Sequence, residues 1–114
     1  MSILKVKTAL ETVLPNDTHH LRAPAGLVKY IVWAESGQID DEWADNTLIH
    51  QTISGTADYY TNIEYDTNAD KIQVALSNAD IVFSLIAVEY IDEHKRTHYT
   101  WQWSVICELG DLYG

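Results

Sequence analysis

The stretch that decides the fold is residues 98–107, which read His-Tyr-Thr-Trp-Gln-Trp-Ser-Val-Ile-Cys. Large apolar residues occupy every second position, and the positions between them are mostly polar. The first set is Tyr99, Trp101, Trp103, Val105 and Cys107, and the second is Thr100, Gln102, Ser104, Ile106 and Glu108. Successive side chains of a β-strand leave opposite faces of the sheet, so this alternation predicts a strand with one buried face.

The segments before this strand predict a strand, a helix and another strand. Residues 47–61 alternate, and Gly55 within them indicates a bulge. Residues 67–70, Thr-Asn-Ala-Asp, have the form of a capping box. The helix after it has one apolar stripe, made of Ala69, Ile72, Ala75, Leu76 and Ala79. Residues 81–91 are the most apolar run of the chain and predict a central strand, which a polar turn at 92–96 joins to the last strand.

The N-terminal part predicts a helix, a loop, a strand and a second loop. The helix follows from the spacing of its apolar residues and from Pro15, which ends it; those residues are Ile3, Val6, Leu10, Val13 and Leu14. Residues 16–26 are rich in turn-forming residues, and residues 27–33 alternate as a strand does. Residues 34–46 are irregular and acidic, and they predict a mobile loop around Trp43.

Together these segments predict one α+β domain over residues 1–114, with the element order α-β-β-α-β-β. A chain of this length has room for one hydrophobic core. A four-stranded, mainly antiparallel sheet with both helices on one face would bury both apolar helix stripes. The opposite sheet face is then either solvated or covered by another chain, and residues 108–114 form a C-terminal tail.

The composition is strongly acidic, with 17 Asp and Glu against 7 Lys and Arg and a formal charge of −10. Such a surface repels phosphate, so specific nucleic-acid binding is disfavoured. Solubility alone would explain the charge. A basic protein partner, or a surface past which an anionic polymer slides without sticking, is the alternative explanation.

The start of the chain has no uninterrupted apolar segment of the kind found in secretory signals. No apolar run approaches the roughly 20 residues of a membrane span. Cys107 is the single cysteine, so no intramolecular disulfide forms, and its place in the apolar set predicts a packing residue rather than a nucleophile. We therefore expect a soluble, cytoplasmic protein without a membrane partner.

The residue types of catalysis and metal binding are present but do not form a recognisable pattern. Asp92, Glu93, His94 and His98 lie close in sequence, yet they straddle a turn where polar residues are expected anyway. The sequence contains no phosphate-binding glycine loop, no dinucleotide fingerprint and no nucleophile elbow. We therefore predict no catalytic residue, no metal, no cofactor and no enzymatic activity.

Aromatic residues are a stronger signal, because the chain has four Trp and seven Tyr. One small core does not easily hide all of these rings, and aromatic residues are enriched in protein interfaces. The alternative is that most of them pack between the sheet and the helices.

Three stretches resemble small proteins of long-tailed phages and prophages, the tail terminator and tail-completion group. They are residues 29–35 (Lys-Tyr-Ile-Val-Trp-Ala-Glu), 55–61 (Gly-Thr-Ala-Asp-Tyr-Tyr-Thr) and 98–105 (His-Tyr-Thr-Trp-Gln-Trp-Ser-Val). The resemblance implies a ring, usually a hexamer, that caps the tail tube, stops its elongation and offers a surface to the head. The implied partners are further copies of the chain, the tail tube protein and the head–tail connector protein, with DNA passing through the lumen. The implied location is the host cytoplasm during assembly and then the virion tail.

A ring needs complementary patches on each subunit. We expect them on the open sheet face and on the acidic loop, which either reaches a neighbour or is simply solvated. The candidate contact residues are Trp43, Asp40, Asp41, Glu42, Tyr59, Tyr60, Trp101 and Trp103. Two other readings stay open: an acidic inhibitor or immunity-type protein that masks a basic partner, and a small-ligand-binding or enzymatic domain with a pocket between sheet and helices.

Overall fold

The structure is a computed structural model of the 114-residue chain. It describes the backbone of residues 2–44 and 47–114, and the side chains of residues 2–39 and 50–114. Asp45, in the predicted acidic loop, lies outside the described residues. The elements in chain order are α1 Leu4–Glu11, β1 Thr18–His20, β2 Tyr30–Ala44, β3 Thr47–Thr61, α2 Asn68–Asn78, β4 Val82–Ile91 and β5 Arg96–Glu108.

The strands form one sheet in the order β1-β2-β3-β5-β4. All neighbours are antiparallel except β1 and β2, which are parallel. The α+β class and the mainly antiparallel sheet are confirmed, but the predicted number of four strands is wrong. The additional strand, β1, lies inside the predicted loop 16–26. Three residues are too few to show a two-residue period, so the sequence gives no sign of it.

The predicted loop at residues 34–46 is wrong for residues 34–44, which continue β2. This strand pairs with β3 from Tyr30↔Tyr60 to Ala44↔Thr47. The ladder is interrupted between Glu35 and Gly37, between Gln38 and Asp40, and between Glu42 and Trp43. The first two interruptions add a residue to β2 and the third adds one to β3, and an added residue shifts the alternation of side chains. The irregular sequence of this segment is therefore that of a bulged strand.

The prediction that residues 81–91 form a central strand is also wrong. β4 is the last strand of the sheet and pairs on one side with β5. Its sequence is misleading because a continuous apolar run is typical of a strand buried on both faces. Here the run lies at the edge, and most of its large apolar side chains are exposed.

Both helices pack on one face of the sheet, and the inward set of β5 forms the centre of the core beneath them. Trp101 and Trp103 are each 1% exposed, and Val105 and Cys107 are buried beside them. The predicted helix stripes are confirmed: Ile3, Val6 and Leu10 are buried from the α1 segment, and Ile72 and Leu76 from α2. Burial also raises the pKa of the Cys107 thiol, which fits a packing role rather than a nucleophile.

Gly55 is required by close packing across the sheet. A Cβ atom at this position would lie 2.1 Å from the Ala34 carbonyl oxygen and 2.3 Å from Cζ2 of Trp103. The Trp103 ring lies across the glycine, and its Nε1–H donates to the Thr56 carbonyl at 2.9 Å. The bulge that Gly55 indicated is in the partner strand, between Glu35 and Gly37.

The start of α2 is held by a buried carboxylate rather than by the predicted capping box. Thr67 makes no side-chain cap hydrogen bond. Instead, Asp66 accepts the backbone N–H of Asn68 at 2.9 Å and the hydroxyls of Tyr59 and Thr61 at 2.6 Å each. Burial of the phenol and its hydrogen bond to Asp66 raise the pKa of Tyr59 to about 12. Asp66 thus joins the end of β3 to the first turn of α2.

Candidate interaction surface

The outer edge of β4 is the least expected feature of the surface. Val82 is 70% exposed and Val88 is 53% exposed. Leu85, Ile86 and Tyr90 are also exposed. An edge strand presents unpaired backbone N–H and C=O groups, and soluble proteins usually protect such edges with charges, proline or a covering element. In β4 the single charged residue is Glu89.

The pairing with β5 explains why these side chains are exposed on both faces. Phe83 and Leu85 lie opposite Trp103 and Trp101 and face the helices, and a bulge between Leu85 and Ala87 then shifts the pattern. Phe83 packs partly against the core, whereas the apolar residues from Leu85 to Tyr90 stay exposed. The helix layer therefore ends before it covers the second half of β4.

The sheet face away from the helices carries a row of three rings and one carboxylate that crosses four strands. Tyr30, Tyr60, His98 and Glu89 are successive cross-strand partners in β2, β3, β5 and β4. The Tyr30 and Tyr60 rings stack with centroids 4.7 Å apart, and the Tyr60 and His98 rings with centroids 4.2 Å apart. Burial and nearby Asp58 raise the pKa of Tyr60, so its phenol stays neutral. We call these residues the ring row.

Carboxylates lie on both sides of the His98 imidazole in the ring row. His98 Nε2 lies 2.7 Å from Asp58 Oδ1, and Nδ1 lies 3.5 Å from Glu89 Oε1. Thr100 Oγ1 donates to the same Asp58 oxygen at 2.8 Å and lies 3.2 Å from His98 Nε2. In a catalytic triad the carboxylate and the hydroxyl contact opposite nitrogens of the ring. Here Glu89 lies nearest Nδ1 and the Thr100 hydroxyl nearest Nε2, but the hydroxyl donates its proton to Asp58 and not to the imidazole. The cluster therefore does not hold an activated nucleophile.

Two depressions open on the same face. One, of about 250 Å³, has Ile39 of β2 and Val82 of β4 among its lining residues, with Ser54, Gln102 and Ser104. The other, of about 470 Å³, lies between residues 21–27 and the Tyr30 end of the ring row. The face is therefore uneven, apolar near the start of β4 and polar near the ring row.

The C-terminal tail is tied to the start of the sheet. The Ile3 N–H donates to the Leu112 carbonyl at 3.1 Å. The Tyr113 hydroxyl donates to one oxygen of Glu35, and His20 Nε2 lies 2.5 Å from the other. Burial alone would raise the pKa of Glu35, but the contacts with Tyr113 and His20 lower it. These contacts hold residues 108–114 against the domain.

The structure divides the predicted contact residues into three groups. Tyr59, Trp101 and Trp103 are buried in the core, so expecting their rings at an interface was wrong; the alternation that predicted the strand also directs them inward. Tyr60 lies on the open face, in the ring row. Asp40, Asp41, Glu42 and Trp43 belong to the outer part of β2, and their side chains lie outside the described residues. Their contact role stays a prediction.

Sequence reasoning missed the exposed residues of β4 and three members of the ring row. The apolar sequence of β4 is evident, but it predicts a strand buried within the chain. Tyr30, His98 and Glu89 are far apart in sequence, and only the register of the four strands brings them into one row.

Within the described ranges, no three His, Cys, Asp or Glu side chains are grouped so that they could hold a metal ion. A search of the same ranges finds no helix with the length and apolar character needed to cross a bilayer.

No protein-family model matches the sequence, and no curated protein matches it. Among solved structures, a chain in a structure titled "Virion of native gene transfer agent (GTA) particle" is similar to this protein. The TM-score is 0.57 and the sequence identity is 11%, with 90% of this chain and 91% of that chain covered. At this identity the likeness shows a shared fold, which extends over nearly the whole of both chains.

Proposed function

We propose that the protein is a structural component of a tailed phage or phage-like particle. It assembles into a ring, with a hexamer as the expected size, at the head-proximal end of the tail tube. There it ends elongation of the tube and provides the surface that joins the head. The observation that carries this proposal is the open, apolar edge of β4.

An edge of this kind is a liability for a protein that works alone. Exposed apolar strands recruit other chains by completing the backbone ladder. Contiguous apolar surface on a small soluble domain commonly marks a protein–protein contact. Val82, Ile86, Val88 and Tyr90 therefore support a function in assembly.

The shared fold and the charge support the phage-particle version of such an assembly. The chain with the same fold belongs to the virion of a gene transfer agent. Three stretches of the sequence also resemble the tail terminator group. A formal charge of −10 suits a ring through which DNA passes, because an acidic lumen would not retain phosphates.

The proposed function involves no catalysis and no cofactor. In the polar cluster of the open face, the Thr100 hydroxyl donates to Asp58 and not to the His98 imidazole. Cys107 is buried in the core. Both observations favour a protein that acts by contact rather than by chemistry.

The test is molar mass by light scattering over a concentration series, with and without magnesium, followed by negative-stain images. A second arm adds the protein to purified tail tubes of the same particle. We expect six-fold rings, or density at one end of the tubes. A chain that stays monomeric in every condition and does not bind the tubes would refute the proposal.

The second candidate is an acidic inhibitor that masks a basic protein, and the charge of −10 favours it. Such a protein binds one partner with a steep dependence on salt and forms no ring. Neighbouring genes distinguish the two candidates: genes for tail tube and capsid support the first, and a toxin gene supports the second.

A further inference from the structure

The sheet has a second open edge, on β2. The short strand β1 covers β2 only at Ile31, Val32 and Trp33. Beyond these positions, residues 34–44 of β2 have β3 on one side, and no strand of the described chain pairs on the other. Residues 36–39 are exposed, and Ile39 is 54% exposed.

This second edge belongs to a hairpin that projects from the sheet. β5 ends at Glu108, opposite His50, whereas the pairing of β2 with β3 continues to Ala44↔Thr47. The molecule is correspondingly long, with extents of 53 × 25 × 23 Å. Only the end of the hairpin beyond the Glu42↔His50 pair is two-stranded, because β5 pairs with β3 up to His50. A two-stranded hairpin is marginally stable in water without a third strand or a packed face. A third strand along the outer edge of β2 would support this end.

The direction of the strands makes the two open edges of the molecule compatible. β2 is antiparallel to β3, β3 to β5, and β5 to β4, so β4 runs opposite to β2. A second copy placed beside the first in nearly the same orientation would bring its β2 against β4 in an antiparallel pair. β4 has 10 residues, and residues 35–44 of β2 offer a segment of the same length.

We propose that β4 of one copy pairs with residues 35–44 of β2 in the next copy and that this seam builds the ring. The inference rests on the proposed function, since it names the contact by which the copies assemble. The contact uses two different patches of each subunit. It is therefore heterologous, which is the type of contact that closes into rings.

Charge and geometry favour this pairing over the two self-pairings. A β2–β2 contact would place the acidic residues 40–42 of two copies together, and like charges across a ladder are destabilising. A β4–β4 contact is two-fold, so it stops at a dimer and leaves the projecting hairpin without a third strand. In the β4–β2 pair, the acidic segment meets a strand that carries only Glu89.

The first test uses Val88→Lys with Val74→Lys as its matched control. Both valines are similarly exposed, at 53% and 58%, but Val74 lies on helix α2 and not on an edge strand. A lysine on an edge strand opposes pairing, so we expect Val88→Lys to weaken association by about tenfold or more while the monomer stays folded. Val74→Lys should assemble as the unmodified chain does. Normal rings from Val88→Lys would overturn the seam and leave the proposed function intact.

The second test identifies the partner edge by cross-linking in a Cys107→Ser background. Gln38→Cys and Ala87→Cys are prepared separately, mixed, and treated with a short bis-maleimide reagent. The reagent can join the two cysteines in more than one register of the strand pair. We expect a cross-link between the two different variants, and little cross-linking of either variant alone. Efficient linking of Ala87→Cys to itself would show a two-fold β4 contact and overturn the inference. If the unmodified chain assembles in no condition, even with tail tubes, the proposed function fails and the seam fails with it.

Discussion

Strands β5 and β4 are neighbours in the sheet, yet their sequences relate to burial in opposite ways. β5 alternates, and each inward residue from Trp101 to Cys107 is buried. β4 is apolar almost throughout, and most of its large side chains are exposed. Alternation therefore reports a face that the chain itself covers. An apolar run reports a strand that is apolar on both faces, and in β4 the rest of the described chain leaves most of these side chains uncovered.

The first prediction compares the two strands directly. Trp103→Ala should lower the free energy of unfolding by about 3–5 kcal/mol, because it removes a buried ring and leaves a cavity. Val88→Ala should change it by less than about 0.5 kcal/mol, because the side chain is exposed. Urea denaturation at protein concentrations that keep the chain monomeric measures both. Equal losses in the two variants would contradict the contrast between the strands.

The second prediction tests how the inward face of β5 is accommodated by β3. Gly55→Ala should destabilise the chain by about 1–3 kcal/mol or more, since its Cβ has no room beside Ala34 and Trp103. The measurement is the midpoint of thermal unfolding. Gly26→Ala offers a partial control: a Cβ there meets no atom within 4 Å, and its cost is set by the positive φ of 90°.

A combined variant gives a sharper form of this test. If the clash with the indole causes the loss, Gly55→Ala should cost less in a Trp103→Leu background than in the unmodified chain, because neighbouring sites are not additive. Full additivity of the two changes would show that the Ala34 carbonyl, rather than the ring, limits the space at Gly55.

The regular parts of the fold could be predicted from the sequence because their patterns depend on one covered face. The α1 and α2 stripes and the alternation of β5 each required only local spacing. β1 is too short to show a period, and the bulges of β2 erase the period there. The position of β4 at the edge depends on long-range pairing, which no local pattern contains.

Much less of the candidate surface could be predicted. The ring row requires the register of four strands, and Tyr30 and His98 are 68 positions apart in the sequence. The interface assigned to Tyr59, Trp101 and Trp103 failed because ring content by itself does not distinguish a core from a contact surface. Their own alternation was the better guide, and it directs them inward.

The third prediction concerns the carboxylate that supports the inward side of β3 and β5. Asp66 binds Tyr59, whose ring stacks on Tyr99 of β5 at 6.0 Å. Burial alone would raise the pKa of Asp66, but hydrogen bonds from Thr61, Tyr59 and Asn68, with Lys29 nearby, lower it below 3.8. A lowered pKa in the folded state stabilises the protein above pH 3.8, and this contribution is lost as the pH falls towards the folded value.

Asp66→Asn should therefore cost about 1–3 kcal/mol near neutral pH, because it removes charge-assisted hydrogen bonds. It should also flatten the loss of stability on acidification below about pH 4, where the unmodified chain loses the contribution of this carboxylate. Chemical denaturation across pH 2.5–7 measures both effects, with ~0.5-unit steps sufficient to resolve a one-proton transition. Exposed Asp70→Asn, in the first turn of α2, is the matched control. An unchanged acid limb in Asp66→Asn would contradict the assigned role.

The last and smallest effect concerns the open face, where the outward side of β5 meets the ring row. Tyr60→Leu keeps apolar bulk but removes stacking on Tyr30 and His98, so it should cost about 0.5–1 kcal/mol in the monomer. Tyr90 of β4 is 57% exposed, so Tyr90→Leu should lower the free energy of unfolding by less. The urea midpoints of the two variants measure both losses of stability. A larger loss of unfolding free energy in Tyr90→Leu would mean that the exposed residues of β4 stabilise the isolated chain. It would contradict the view that these residues serve mainly to contact a second copy.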